Sequence, residues 1–175
     1  MYNTGLTVAQ RAAWGVFASN VPATNKLGEV INLSGYNQFV KSNTVAANAG
    51  LAAILGAPTV FTLPGADPTF AVVASEAGQT LACTFDDTRD WLDEDGGALI
   101  VEMGIPQNDS IGFFDGPWRH AGVIEGDGVT PPTTGDTVAV PFAITAGQKI
   151  FARAKIIRAD GRVSGWFRST VSAGA

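Results

Sequence analysis

The chain has 175 residues, enough to bury a sizeable core as one domain or two small ones. Hydrophobic residues make up 46% and charged residues only 15%, which excludes a disordered chain of low hydrophobicity and high charge. The net charge of -5 argues against a nucleic-acid binder, whose affinity rests on neutralising phosphates.

In the first third, Thr7-Val8-Ala9-Gln10 has the form of a capping box and predicts a helix from Val8 to about Ser19. Ala13, Trp14, Phe17 and Ala18 give it one apolar stripe, and Pro22 ends it because the residue before proline disfavours helical angles. Gly15 weakens that helix by roughly 1 kcal/mol relative to Ala, so it needs a partner surface. Residues 25–29 read as a turn and 30–33 as a short extended piece. Ser34 then caps a second helix to about Ala49, with Tyr36, Phe39, Val40 and Ala47 along one side and Gly50 as its stop. Trp14, Phe17, Tyr36 and Phe39 are aromatic anchors of the kind that dominate interfaces if this segment docks, and simple core residues if it is only an accessory subdomain.

From Pro58 onward the period changes to two. Phe70–Ala74 and Thr80–Phe85 read as strands joined by Glu76-Ala77-Gly78-Gln79, and Ala98–Met103 as a third. A fourth falls within Gly112–Ile124 and a fifth over Val138–Ile144; the clearest are Lys149–Arg158 and Val163–Val171. Asp160-Gly161 between the last two is a strong hairpin signal, because such a turn needs a positive φ that glycine adopts without strain. Alternation puts Ile150, Ala152, Ala154 and Ile156 on a core face, and Phe151, Arg153, Lys155 and Ile157 on a largely wet one.

The run Lys149-Ile-Phe-Ala-Arg-Ala-Lys-Ile-Ile-Arg-Ala-Asp-Gly-Arg-Val-Ser164 resembles the penultimate strand, turn and last strand of a fibronectin type III domain. Thr80–Phe85 resembles its second strand, with Phe85 where that family usually has Trp. Ile150 stands where a buried Tyr is usual, and the loops at 86–97 and 104–136 are longer than the family's. The fold class expected is therefore mainly β, an immunoglobulin-like (fibronectin type III-like) antiparallel sandwich at 58–175, preceded by a two-helix arm at 1–57. Leu6–Trp14 followed by Leu33–Asn43 is similar to a pattern in poorly characterised bacteriophage and prophage proteins, in which a sandwich also follows. That resemblance implies a non-enzymatic virion structural protein, capsid-decorating or tail-associated. Its partners would be other virion proteins and copies of itself, with assembly in the host cytoplasm.

The reactive groups are few. One Cys excludes an intrachain disulfide, and one Cys with one His cannot supply the three or four ligands of a zinc site. His120 lacks a nucleophile elbow, and Cys83 is a small core hydrophobe on the inward side of its strand. No Gly-rich nucleotide loop is present, so no cofactor is expected. Six carboxylates between Asp86 and Asp95 read as a solvated, self-repelling loop; their spacing fails the EF-hand pattern, and weak calcium binding is the alternative. No basic start with an apolar run follows Met1, and Val45–Pro58 is too short and interrupted to cross a bilayer, so neither export nor a membrane partner is expected.

Phe113, Phe114 and Trp118 lie among glycines in a segment between strands, where they form an interaction patch if exposed and an end plug if buried. Trp166 and Phe167 face opposite sides of the last strand. The functional alternative is a carbohydrate-binding module that stacks a host-surface glycan on Trp118 or Trp166. Charge also divides the chain: residues 1–60 carry three bases and one acid, the remaining 115 carry eight bases and fifteen acids.

Overall fold

A computed structural model describes residues 2–25 and 27–174, so Met1, Ala175 and Lys26 within the expected turn lie outside the described residues. The capping box forms: the Gln10 amide donates to Thr7 Oγ1 at 3.2 Å and the Thr7 amide to Gln10 Oε1 at 2.8 Å, opening helix α2 (Val8–Asn20) behind the single turn α1 (Tyr2–Gly5). Strands β1 (Ala23–Thr24) and β2 (Val30–Ile31) then pair as a short hairpin, where Asn25 Oδ1 accepts from the amides of Leu27 and Glu29. Ser34 caps α3 (Gly35–Asn48) by accepting from the Asn37 amide at 3.2 Å.

The two helices cross where neither has a side chain. A Cβ on Gly35 would stand 2.7 Å from the Gly15 nitrogen and 2.9 Å from its Cα, so glycine is what permits the approach. Trp14 meets Phe17 and Phe39 edge to face, with ring centroids 5.9 and 5.5 Å apart, and its indole N–H donates to the Leu55 carbonyl at 3.0 Å. The stripe expected on α3 is corrected. Tyr36, Val40 and Ala47 face solvent, while Gln38, Phe39, Ser42, Val45 and Ala46 are buried. The helix is wedged between α2 and a β-sheet, so it buries two sides rather than one stripe, Phe39 against Trp14 and Phe17 and Val45 with Ala46 against the sheet.

Seven further strands form two antiparallel sheets: β3 (Ala71–Ser75), β4 (Thr80–Thr84) and β7 (Asp136–Ala139) in the order β3-β4-β7, and β5 (Ala98–Gly104), β6 (Trp118–Glu125), β8 (Lys149–Ile157) and β9 (Phe167–Ser172) in the order β6-β5-β8-β9. The chain is thus mostly β. Both sheets contribute to one core, in which Val72, Leu81 and Cys83 meet Leu99, Val101, Ile150 and Ile156. At one margin the Val72 amide donates to Ser169 Oγ at 3.2 Å, which ties β3 to β9. The hairpin at 158–162 closes through two backbone bonds of 2.9 Å, with Gly161 at φ 93.

Three expectations shift. The fifth strand is shorter and starts earlier, because from Val140 the chain turns; Gln79 fastens it there, donating to the Ile144 carbonyl and accepting from its amide. The last strand starts at Phe167, and Val163 instead pairs singly with Ile157. The outer face of β8 is not wet: Phe151 and Ile157 are buried, and Arg153 and Lys155 are half-buried. One end of that face is covered by α3, whose Val45, Ala46 and Ala49 pack on Ala98, Ile100, Ile157 and Val163 across the 57/58 division. No helix among the described residues is long and apolar enough to cross a membrane.

Candidate interaction surfaces

Beyond α3, the outer face of the four-stranded sheet is covered by the chain's own aromatic and cationic side chains. The period of two on β8 projects Phe151, Arg153 and Lys155 outward in a row. The Arg153 guanidinium lies 4.6 Å from the Trp118 ring centroid and 4.0 Å from that of Trp166, and its Nε donates to Glu102 at 2.7 Å. Lys155 Nζ sits 3.7 Å from the Trp166 centroid. Cations over indole faces at these distances gain about 0.5–2 kcal/mol each, depending on desolvation. Burial pushes the Lys155 ammonium down to about 8; Glu102 opposes that shift, and the neighbouring cations Arg153 and Lys41 reinforce it.

At the far end Phe114 stacks on Phe151, centroids 5.6 Å apart, and meets Trp118 edge-on at 5.1 Å. Arg168 lies 5.5 Å from the Trp118 centroid and pairs with Asp115 at 3.0 Å. Phe113, Phe114, Trp118, Phe151 and Arg168 line a shallow cleft of about 160 Å³, and Phe113 is 73% exposed at its rim. The aromatic segment is split: Phe114 and Trp118 are half-buried on the outer sheet face rather than plugging the end of the sandwich, while Phe113 projects. Of the helical aromatics, Trp14, Phe17 and Phe39 are buried against one another and present no area to a partner in this form; Tyr36 is exposed, with its ring edge-on to Tyr2 at 5.3 Å.

Trp166 was a candidate only as a glycan platform, and Arg153, Lys155 and Arg168 were not among the candidate residues read from the sequence. Alternation had placed Arg153 and Lys155 beside Phe151, but assigning that face to water concealed their aromatic partners, which come from β6 and from the turn before β9. Trp166 and Phe167 do face opposite sides, Phe167 entering the core against Phe70 with centroids 5.2 Å apart.

The acidic run is a folded turn. Trp91 and Leu92, set among its carboxylates, are buried in the core, Trp91 against Phe85 at 5.6 Å. Arg158 bridges Glu94 and Asp90, the latter at 2.9 Å, and its guanidinium holds the Glu94 carboxyl below the usual carboxylate range. Thr88 donates to Asp86 from hydroxyl and amide, which lowers that carboxyl too. Asp95 reaches the neighbouring loop, accepting from the Gly128 amide at 2.9 Å. Among the described residues Asp87, Asp93, Asp95, Glu125 and Asp127 form no ion pair, and no group of three or more His, Cys, Asp or Glu is placed to hold a metal. His120 is exposed on the edge strand β6, and burial pushes the Cys83 thiol up to about 12.

A third surface belongs to the helical layer. Val8, Ala9, Ala12, Ala13 and Val16 form a continuous outward stripe on α2, with Val8 74% exposed, while Arg11 turns back to donate to the carbonyls of Asn3 and Leu6. The β1–β2 hairpin adds Leu27, 84% exposed, together with Val30 and Ile31. Compared with models of protein families, with curated proteins and with solved structures, the chain finds no match.

Proposed function

We propose that this chain is a non-enzymatic structural protein of a virion, a bacteriophage capsid-decorating or tail-associated subunit that works through protein–protein contacts. The observation that carries the reading is α2, which is apolar on both sides: Trp14, Phe17 and Ala18 face inward, and Val8, Ala9, Ala12, Ala13 and Val16 face outward. An exposed apolar stripe on a helix whose other side is already buried marks a surface for a neighbour. The resemblance of residues 6–14 and 33–43 to phage-encoded proteins supports the setting. Seven strands in two facing antiparallel sheets, in the orders β3-β4-β7 and β6-β5-β8-β9, support the immunoglobulin-like, fibronectin type III-like identity of the sandwich.

Charging the stripe by Ala12→Glu with Val16→Glu tests the proposal, because both positions are exposed and the fold does not depend on them. The expected result is loss of incorporation into particles during co-expression with the neighbouring structural proteins, with the melting temperature unchanged. Equal incorporation of wild type and variant would refute it. Glycan binding on Trp118 or Trp166 has weaker support, since Arg153 and Arg168 lie over Trp118, and Arg153 and Lys155 over Trp166.

A further inference from the structure

We infer that copies of this chain associate head to tail, the acidic loops at one end of the sandwich seating on the cation–aromatic strip of the next copy. The inference rests on the contact-based reading above and names a surface that reading does not use. The loops at 86–97, 126–135 and 158–166 all lie at one end, since the Ala98 end of β5 pairs with Glu125 and Ile157, and the Asp127 amide donates to the Leu92 carbonyl. Asp87, Asp93, Asp95, Glu125 and Asp127 stand there without an ion pair among the described residues, while the three arginines of the same end, Arg89, Arg158 and Arg162, are each already paired with Asp86, with Asp90 and Glu94, and with Asp160.

The strip has the opposite sign. Lys41, Arg153, Lys155 and Arg168 face two carboxylates, Glu102 and Asp115, each already committed to an arginine. Lys41 and Lys155 form no ion pair among the described residues and lie close enough to repel each other, on a molecule whose net charge is -5. Like charges crowded beside an apolar floor are relieved by an incoming carboxylate, and Phe113 at the rim supplies apolar area to the same contact. With the acidic end of one copy seated on the strip of the next and no reciprocal contact in the pair, the contact is heterologous and repeats into a ring or a row. Such repetition suits a subunit that tiles a particle.

Sedimentation equilibrium of the full chain at about 20 mM and about 500 mM salt reads the contact, since the higher concentration shortens the screening length to a few ångströms. Association at low salt and its loss at high salt are expected. A strip variant, Lys41→Gln with Phe113→Ser, and a loop variant, Asp87→Asn with Asp93→Asn, each change only exposed side chains, and each alone is expected to associate about tenfold more weakly. Mixed, they form one-to-one pairs and nothing larger, because the strip variant keeps its acidic end and the loop variant keeps its strip. Circular dichroism confirms that both fold. A wild type that stays monomeric at low salt overturns the inference, as do variants that associate like wild type or a mixture that forms no pairs. If the wild type associates and only the Ala12→Glu, Val16→Glu variant loses that association, the contact-based function stands and the head-to-tail geometry falls.

Discussion

Two glycine-to-alanine substitutions at one helix crossing should move stability in opposite directions. At Gly35 the new Cβ meets backbone: 2.7 Å to the Gly15 nitrogen, 2.9 Å to its Cα and 3.0 Å to the Trp14 carbonyl carbon. Backbone cannot swing aside as a side chain does, so α2 and α3 must separate, loosening the Trp14–Phe39 contact and costing about 1–3 kcal/mol as overpacking does. At Gly15 the new Cβ points into open space, and within a helix interior Ala is favoured over Gly by about 1 kcal/mol. For a chain of this length each kcal/mol moves the melting temperature by about 2–4 °C. Gly15→Ala should therefore raise it by about 2–4 °C, and Gly35→Ala should lower it by at least that much, in calorimetry or circular dichroism melts. A Gly35→Ala protein that melts at or above the wild-type temperature would show that the helices do not touch as described.

Replacing Arg158 by Met leaves Asp90 and Glu94 without their shared cation, and the loss of hydrogen bonds between charged groups predicts destabilisation on the order of 2 kcal/mol at pH 7. Because the folded state holds Glu94 below its usual range, this stabilisation is full above about pH 4.3 and disappears as pH falls through the folded value; the gap between wild-type and variant melting temperatures should close in acid. A gap constant from pH 7 to pH 2.5 would rule out that ion pair as its source. The Cys83 thiol, buried and raised to about 12, should react with a thiol reagent at pH 8 only at the rate of unfolding; fast labelling of the native protein would contradict its position between the sheets. Deleting residues 1–57 uncovers Ala98, Ile100, Ile157 and Val163, so the truncated sandwich should bind a hydrophobic dye and aggregate, as light scattering reads directly. A soluble, dye-silent fragment melting like the full chain would mean that α3 is not part of the core.

What the sequence made legible was local. Thr7 with Gln10 and Ser34 announced both helix starts because a cap acts within one turn, and Asp160-Gly161 announced its hairpin because the turn needs only its own backbone. Strand positions followed from alternation, which each strand carries by itself. The face of α3 was misjudged because amphipathicity ranks side chains by size and polarity, whereas a helix wedged between two layers buries what fits. Gln38 and Ser42 are buried, with Gln38 Oε1 and Ser42 Oγ finding no hydrogen-bond partner among the described residues, while Tyr36 and Val40 are exposed. Trp91 and Leu92 were hidden by their company, since six carboxylates in ten residues mask two core side chains that carry no periodic signal.

The candidate strip was illegible for a different reason. Its parts stand at 41, 113–118, 151–155 and 166–168, and only the order β6-β5-β8-β9 brings them to one face. Alternation said correctly that Arg153 and Lys155 leave the core; it was silent on what lies above them. Once α3 takes the Ile157 end of the face and Phe114 the Phe151 end, the middle is left to Arg153 and Lys155. Cations whose stems pack on the sheet and whose heads rest under indoles fill such a space, and they keep positive charge where a distant acidic loop can be met. The positive charge on the outer sheet face is thus a consequence of how that face is covered, and the same covering decides which surface is left for a neighbour.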